Sequence, residues 1–233
     1  MSATVLVPTY LAKTGYEVLQ QAGLNIIEVP NVDNATLLKY QDEAAGAIMG
    51  VSPIDDQTYA QMKQLKILAR IGVGFDSLNP VEAAKHGIVV TITPHSNAIS
   101  VAESTIGALL NLSKDLPQRT ALMRAGKWRE ANQAQGHDID GKVIGIIGYG
   151  HIGTQLGILA ESLGMHVFFY DIESKLPLGN ATQVQHLSDL LNMSDVVSLH
   201  VPENASTKNM MGAEELALMK PGSLLINAAR GTV

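Results

Sequence analysis

Along the chain, short apolar runs bounded by turn residues alternate with stretches whose apolar positions recur every three to four residues. In the first part the strand-like runs are Thr4–Val7, Asn25–Val29, Ala47–Met49, Lys66–Ile71 and Val89–Ile92. Helical patterns at Leu11–Gln21, Asn34–Gln41, Asp55–Lys63 and Pro80–His86 separate them. Parallel neighbours need crossover helices, so this alternation predicts a parallel sheet of the flavodoxin-like kind. A long helix over Ser100–Leu112 and another over Pro117–Ala125 follow, and then a polar stretch, Gly126–Gly141. A second series begins near Lys142, with strands expected at Val143–Ile147, His166–Tyr170, Ala181–Gln185, Val196–Leu199 and Ser223–Asn227. Helices are expected at Thr154–Leu163, Leu187–Asn192 and Ala213–Met219. The whole predicts an α/β fold of two doubly wound parallel-sheet domains, residues 1–98 flavodoxin-like and 99–233 Rossmann-type. A complete Rossmann domain has strand order 3-2-1-4-5-6, and only five strands can be counted here. The second domain is therefore expected to be truncated at its C-terminus, with Leu224–Ile226 as an uncovered apolar edge.

The strongest local signal is Val143-Ile144-Gly145-Ile146-Ile147-Gly148-Tyr149-Gly150-His151-Ile152-Gly153, an apolar strand running into a glycine-rich turn that opens a helix. In a dinucleotide-binding turn the first glycine allows the tight bend, the second lets backbone approach a pyrophosphate, and the third lets helix and strand pack closely. A bare triplet of glycines is weak evidence, and a purely structural turn is the alternative. Here the following strand ends at Asp171, where a carboxylate meets the adenosine ribose and repels a 2′-phosphate. The next residues, Ile172 and Glu173, bring no cation, so NAD is expected over NADP.

Composition narrows the classes. Of the 233 residues 46% are apolar and 16% charged, as in an ordinary globular protein. The net charge of −6, with its cations scattered, offers no footprint for nucleic acid or an anionic membrane surface. The absence of cysteine removes thiolate chemistry, and with no basic, apolar leader or membrane-length run the expected location is the cytoplasm. No metal is expected, because no His-x-x-x-His pair or comparable ligand spacing occurs. The adjacent acids Asp42-Glu43 and Asp55-Asp56 read as solvated helix ends. The nine methionines read as core filling, and Trp128 as a packing anchor between domains or in a dimer contact.

With Gly148–Gly153 and Asp171, the segment Ile226-Asn227-Ala228-Ala229-Arg230-Gly231-Thr232-Val233 resembles the D-isomer-specific 2-hydroxyacid dehydrogenase family. The likeness is close over Lys142–Val233, including Leu199-His200-Val201-Pro202-Glu203-Asn204. It is looser in the first part, at Arg70-Ile71-Gly72-Val73-Gly74-Phe75-Asp76 and Ser96–Glu103. The two parts resemble different branches. The resemblance implies NAD as cofactor and a small 2-hydroxy acid as substrate, held between the two domains. It implies that His151 and Ile152 sit over the pyrophosphate, that Asp171 holds the ribose, and that Val201 and Ala228 line the cofactor cleft. Val73 would offer backbone to the cofactor, Gly74 and Asn97 would serve the substrate, and Arg230 would be the catalytic arginine. A homodimer or higher homo-oligomer, through Val101–Leu112 and Lys114–Gly126, is implied as well.

Arg230 also has a case from position. It follows an apolar strand at the carboxyl end of an open sheet, where a guanidinium can grip a carboxylate through two parallel N–H bonds. On spacing alone, a surface ion pair is equally open; the resemblance selects the substrate role. Two departures stand out. The family's histidine base and its glutamate partner lie well beyond the arginine, and no histidine here replaces them. His200, at a strand end, comes nearest and reads as a cleft wall. Members acting on a phosphorylated substrate also place an Arg-Ser pair after the third strand, where this chain has Met49-Gly50-Val51-Ser52-Pro53. Either another cation such as Lys13 serves, or the substrate differs. Three readings follow: a dehydrogenase of a phosphorylated 2-hydroxy acid, one of another 2-hydroxy or 2-oxo acid, and a catalytically silent NAD-binding module.

Overall fold

Apolar runs too continuous to leave one face to water become parallel strands covered by helices on both sides. In the computed structural model, which describes residues 2–233, the first unit runs β1 (Thr4–Pro8), α1 (Lys13–Gln21), β2 (Asn25–Val29), α2 (Asn34–Lys39) and β3 (Ala44–Met49). It continues through α3 (Asp56–Gln61), β4 (Ile67–Arg70), α4 (Pro80–Lys85) and β5 (Val89–Thr91). All its pairings are parallel, in the order β2-β1-β3-β4-β5, which is the flavodoxin-like order. Leu6 of β1 stands opposite both Ile27 of β2 and Ala47 of β3. Leu6, Met49 and Leu68 from the sheet meet Leu37, Tyr59, Leu65 and Ile88 in one buried core. Helices α2 and α4 start on side-chain caps. Asp33 Oδ1 accepts the Thr36 N–H at 2.8 Å, which holds its carboxyl below the usual range, and Asn79 Oδ1 accepts the Glu82 N–H at 3.1 Å.

The chain divides between Asn97 and Ala98. The second unit opens with α5 (Ala98–Ser113), α6 (Leu116–Arg124) and α7 (Trp128–Gln133). It then runs β6 (Val143–Ile147), α8 (His151–Ser162), β7 (His166–Tyr170), β8 (Thr182–Gln183), α9 (Leu187–Met193), β9 (Val196–Leu199), α10 (Ala213–Leu218) and β10 (Leu224–Asn227). Its five strands are parallel, in the order β10-β9-β6-β7-β8, the same sequence of neighbours as in a Rossmann domain's first five strands. The two-residue period of the strands divides the core between two faces. Ile144, Ile146, Val167 and Phe169 pack with Leu109 of α5 and Leu156 and Ala160 of α8, while Ile147, Val197 and Leu199 pack with Leu190 and Leu191 of α9.

Two details differ from the pattern-based expectation. The polar stretch after Gly126 contains α7, whose only buried residue is Ala131, so no apolar period announces it. Trp128 opens that helix and is 61% exposed. β8 shrinks to two residues because it pairs with β7 only at Thr182 and Gln183.

The α5–α8 face should dominate the stability of this unit. Leu156→Ala, which empties a fully buried position, should cost about 2–5 kcal/mol, whereas Ile158→Ala on the exposed side of α8 should stay within about 0.5 kcal/mol. Urea unfolding followed by far-ultraviolet circular dichroism measures both, and equal losses would contradict this packing.

Candidate functional site

At the end of β6, Gly148 turns the chain with φ of 91°, a region that side-chain-bearing residues enter only with strain. A Cβ there would come within 2.8 Å of the His200 carbonyl oxygen and 2.9 Å of Val201 Cγ1, so the carboxyl ends of β6 and β9 meet at bare backbone. A Cβ on Gly153 would collide with the Gly148 carbonyl oxygen; the first turn of α8 rests on the turn that precedes it. Gly150 differs, since a Cβ there would meet no atom within 4 Å. It borders a cavity of about 260 Å³ lined by Tyr149, Gly150, His151, Thr154, Gln155 and Lys175. No side chain caps α8, so its dipole is directed at that opening. An open glycine rim before an uncapped helix start fits a diphosphate.

Asp171, just past β7, closes the turn from the other side. Its Oδ2 accepts the Tyr149 N–H at 2.9 Å and its Oδ1 accepts the Glu173 N–H at 3.0 Å, while the Gly148 N–H donates to the Tyr170 carbonyl at 2.9 Å. The carboxylate is thereby clasped between β6 and β7, with lone pairs left for ribose hydroxyls. Tyr149 is buried and stacks on Phe169, with ring centroids 3.8 Å apart, forming the floor of the turn. Sequence reading missed Tyr149 as a support and Lys175 as a cavity residue. The lysine stands four positions past Asp171, whereas the expectation of no cation rested on the two residues directly after the acid. Its ammonium pairs with Glu173 Oε2, which raises its pKa above the ordinary lysine value.

At the end of β9 the His200 ring is largely buried, with Nε2 2.8 Å from the Oγ of buried Ser198. Desolvation lowers its pKa to about 4, so the ring is neutral near pH 7. Val201 is half-buried against the cluster on the α9 face. Beyond β10, Asn227 ties a tight turn: its Oδ1 accepts the Ala229 N–H at 3.0 Å and its Nδ2 donates to the Arg230 carbonyl at 2.7 Å. Arg230 Nη1 donates to the Ala229 carbonyl at 2.9 Å, and the Asn209 N–H holds the Thr232 carbonyl at 2.7 Å. Ala228 and half-buried Arg230 thus ride on a fixed loop. Asn227 was legible as an Asx-turn residue and was not assigned a role. Gly148, Gly150, His151, Ile152, Gly153, Asp171, Val201, Ala228 and Arg230 all lie along the carboxyl edge of one parallel sheet. Its topological switch falls between β6 and β9, where Gly148 meets His200.

In the first unit, Val73 and Gly74 occupy the loop after β4, Val73 exposed, and the Gly72 N–H donates to Thr93 Oγ1 at 2.9 Å. Asn97 is half-buried, with its Oδ1 enclosed and unbonded among the described residues. At Gly50 a Cβ would collide with the Tyr10 hydroxyl, so that hydroxyl occupies the mouth of the β3 loop. Lys13 is exposed, 3.8 Å from Glu17 on α1. Arg70, paired in register with Met49, is a cation beside the end of β3 that sequence reading passed over. Among the described residues no group of three or more His, Asp or Glu could hold a metal, and no helix is long and apolar enough to cross a membrane.

A family model described as D-isomer specific 2-hydroxyacid dehydrogenase, NAD binding domain, matches residues 106–233. The chain is 66% identical over 161 residues to the D-3-phosphoglycerate dehydrogenase of Escherichia coli K12, covering 69% of this chain and 39% of that one. A solved protein of Thermus thermophilus, 31% identical, matches 98% of this chain and 74% of its own with a TM-score of 0.87. The NAD+-bound 3-phosphoglycerate dehydrogenase of Entamoeba histolytica, 25% identical, matches 100% of this chain and 73% of its own with a TM-score of 0.82. The glycine turn, the Asp171 clasp and the parallel sheet that carries them are those of a Rossmann-type dinucleotide-binding unit. The chain belongs to the D-isomer-specific 2-hydroxyacid dehydrogenase family, and its residues 106–233 match that family's NAD binding domain. It spans about two fifths of the length of the curated relatives it matches.

Burial of neutral His200 has a measurable consequence. Its stabilising contribution is complete above pH 6.5 and is lost as pH falls toward about 4, because in that window the unfolded chain binds a proton that the folded chain does not. At pH 5 the native chain should have lost about 2 kcal/mol more of its pH 7 stability than His200→Asn. Urea unfolding at the two pH values tests this; parallel losses would mean that the ring is solvated.

Proposed function

We propose that the chain binds NAD along the carboxyl edge of the second sheet and serves hydride transfer at C2 of a D-2-hydroxy acid. The reading is closest to D-3-phosphoglycerate dehydrogenase and its step in serine biosynthesis, with the cytoplasm as the place of action. The observation that carries it is the junction of Gly148, Gly150 and Asp171, in which an uncapped helix start borders a cavity and the Asp171 carboxylate holds the backbone N–H of Tyr149, one of the residues that line it. In this reading Gly150, His151 and Ile152 meet the pyrophosphate, Gly148 and Gly153 let the backbone close up behind it, and Asp171 accepts the ribose hydroxyls. Val201 and Ala228 line the cleft. Arg230, held by the Asn227 turn, grips the substrate carboxylate through two N–H bonds and so orients C2. Val73 contributes to cofactor binding, and Gly74 and Asn97 to the substrate, on the family resemblance. The cofactor, when bound, accepts or returns the hydride.

A second reading keeps the reaction and changes the substrate to another 2-hydroxy or 2-oxo acid. It is favoured by the β3 loop, where Met49–Pro53 supplies no cation and the Tyr10 hydroxyl occupies the space at Gly50. Isothermal titration with NADH should show binding that Asp171→Ala weakens about tenfold to a hundredfold, the range for losing hydrogen bonds to a charged group. Equal affinities would remove Asp171 from the site, and no binding by the folded native chain would overturn the proposal. Turnover of 3-phosphoglycerate against D-lactate and hydroxypyruvate then separates the two substrate readings.

The same proposal includes self-association through the opening helices of the second unit, where Leu112, Leu116, Met123 and Trp128 are exposed. Sedimentation equilibrium should find a dimer that Met123→Glu combined with Trp128→Ser shifts toward monomer. A native chain that is monomeric at micromolar concentration would refute this part.

A further inference from the structure

We propose that Glu173 and Lys175 form a charge couple that decides which dinucleotide the cavity accepts. Lys175 presents a cation to the phosphate side of the site, and Glu173 cancels it, so that a 2′-phosphate finds no net positive charge. This rests on the reading of the cavity as the NAD site. Among the residues lining that cavity, Lys175 alone carries a fixed charge, and it shares the lining with Gly150 and His151 of the helix start. Its place is built rather than incidental. Gln183 Oε1 accepts the Lys175 N–H at 3.1 Å, Gln183 Nε2 donates to the Glu173 carbonyl at 2.8 Å, and Asp171 Oδ1 accepts the Glu173 N–H at 3.0 Å. The loop from Asp171 to Lys175 is therefore pinned at both ends, and the lysine side chain, about one-third exposed, is turned onto Glu173 Oε2. Asp171 and Glu173 against Lys175 leave a net charge of −1 at this corner. A 2′-phosphate adds about −1.5 to −2 and is repelled. Without the Glu173 charge the corner is neutral and the ammonium is released toward the phosphate, for which a charge-assisted hydrogen bond is the strongest contact available.

The couple predicts a switch in ratio. Glu173→Gln should move the ratio of NADPH to NADH affinity about tenfold toward NADPH, and the gain should shrink as salt screens it. The double variant Glu173→Gln, Lys175→Met should lose the gain entirely. Titration of both nucleotides by fluorescence into the native chain and the three variants, Lys175→Met included, measures this at low and high ionic strength. NADH binding by the native chain with an unchanged ratio in Glu173→Gln would overturn the couple and leave the cofactor site standing. A gain that persists in the double variant would do the same. Failure of every folded form to bind either nucleotide would overturn the site, and the couple with it.

Discussion

Bare backbone contact at Gly148 is the constraint on which the second unit depends. Strand β6 lies between β9 and β7, and the loops leaving β6 and β9 approach so closely that the carbonyl of His200 occupies the space a side chain on Gly148 would need. The first turn of α8 then settles on the Gly148 carbonyl through Gly153. Helix, turn and two strands converge within a few ångströms because Gly148 and Gly153 carry no side chain. Asp171 stabilises the arrangement from β7 by accepting the Tyr149 N–H, so the acid that reads as a ribose ligand also holds the turn in shape.

From this junction the chemistry follows by direction. Parallel strands send all their carboxyl ends to one edge, and the reversal of strand order between β6 and β9 opens a crevice there. At the same edge Gly150 and the uncapped start of α8 border the cavity that Lys175 shares, an arrangement suited to an anion without any lysine or arginine on the helix. The same edge carries Arg230 on a turn tied by Asn227, a loop that keeps the guanidinium near its strand end. His200 at the end of β9 is enclosed beside Ser198, and its burial leaves it neutral. In the first unit a related sheet leaves a β3 loop with no cation, where the hydroxyl of Tyr10 stands at Gly50.

Much of this was legible in the sequence because it rests on local rules. Short continuous apolar runs and period-3.6 stretches located the strands and the covering helices, including the flavodoxin-like and Rossmann-type halves. The glycine spacing located the tight turn before α8, where Gly148 and Gly153 answer local demands of backbone geometry. The acid at Asp171 and the arginine after β10 were legible from their place at strand ends. α7 was not, because a six-residue helix with one buried alanine has no period to detect.

By itself the sequence determined the fold class, the position of the glycine turn and the acid that follows it, because hydrophobic period and backbone stereochemistry act over a few residues. Only the tertiary structure decided which side chains share a surface. It brought Lys175 to the cavity at the start of α8, laid it on Glu173 and pinned both with Gln183 from a neighbouring strand. It also enclosed His200 beside Ser198 and set the Tyr10 hydroxyl in the space at Gly50. Charge and desolvation act through space, between residues that strand order makes neighbours, and no spacing along the chain encodes that order directly.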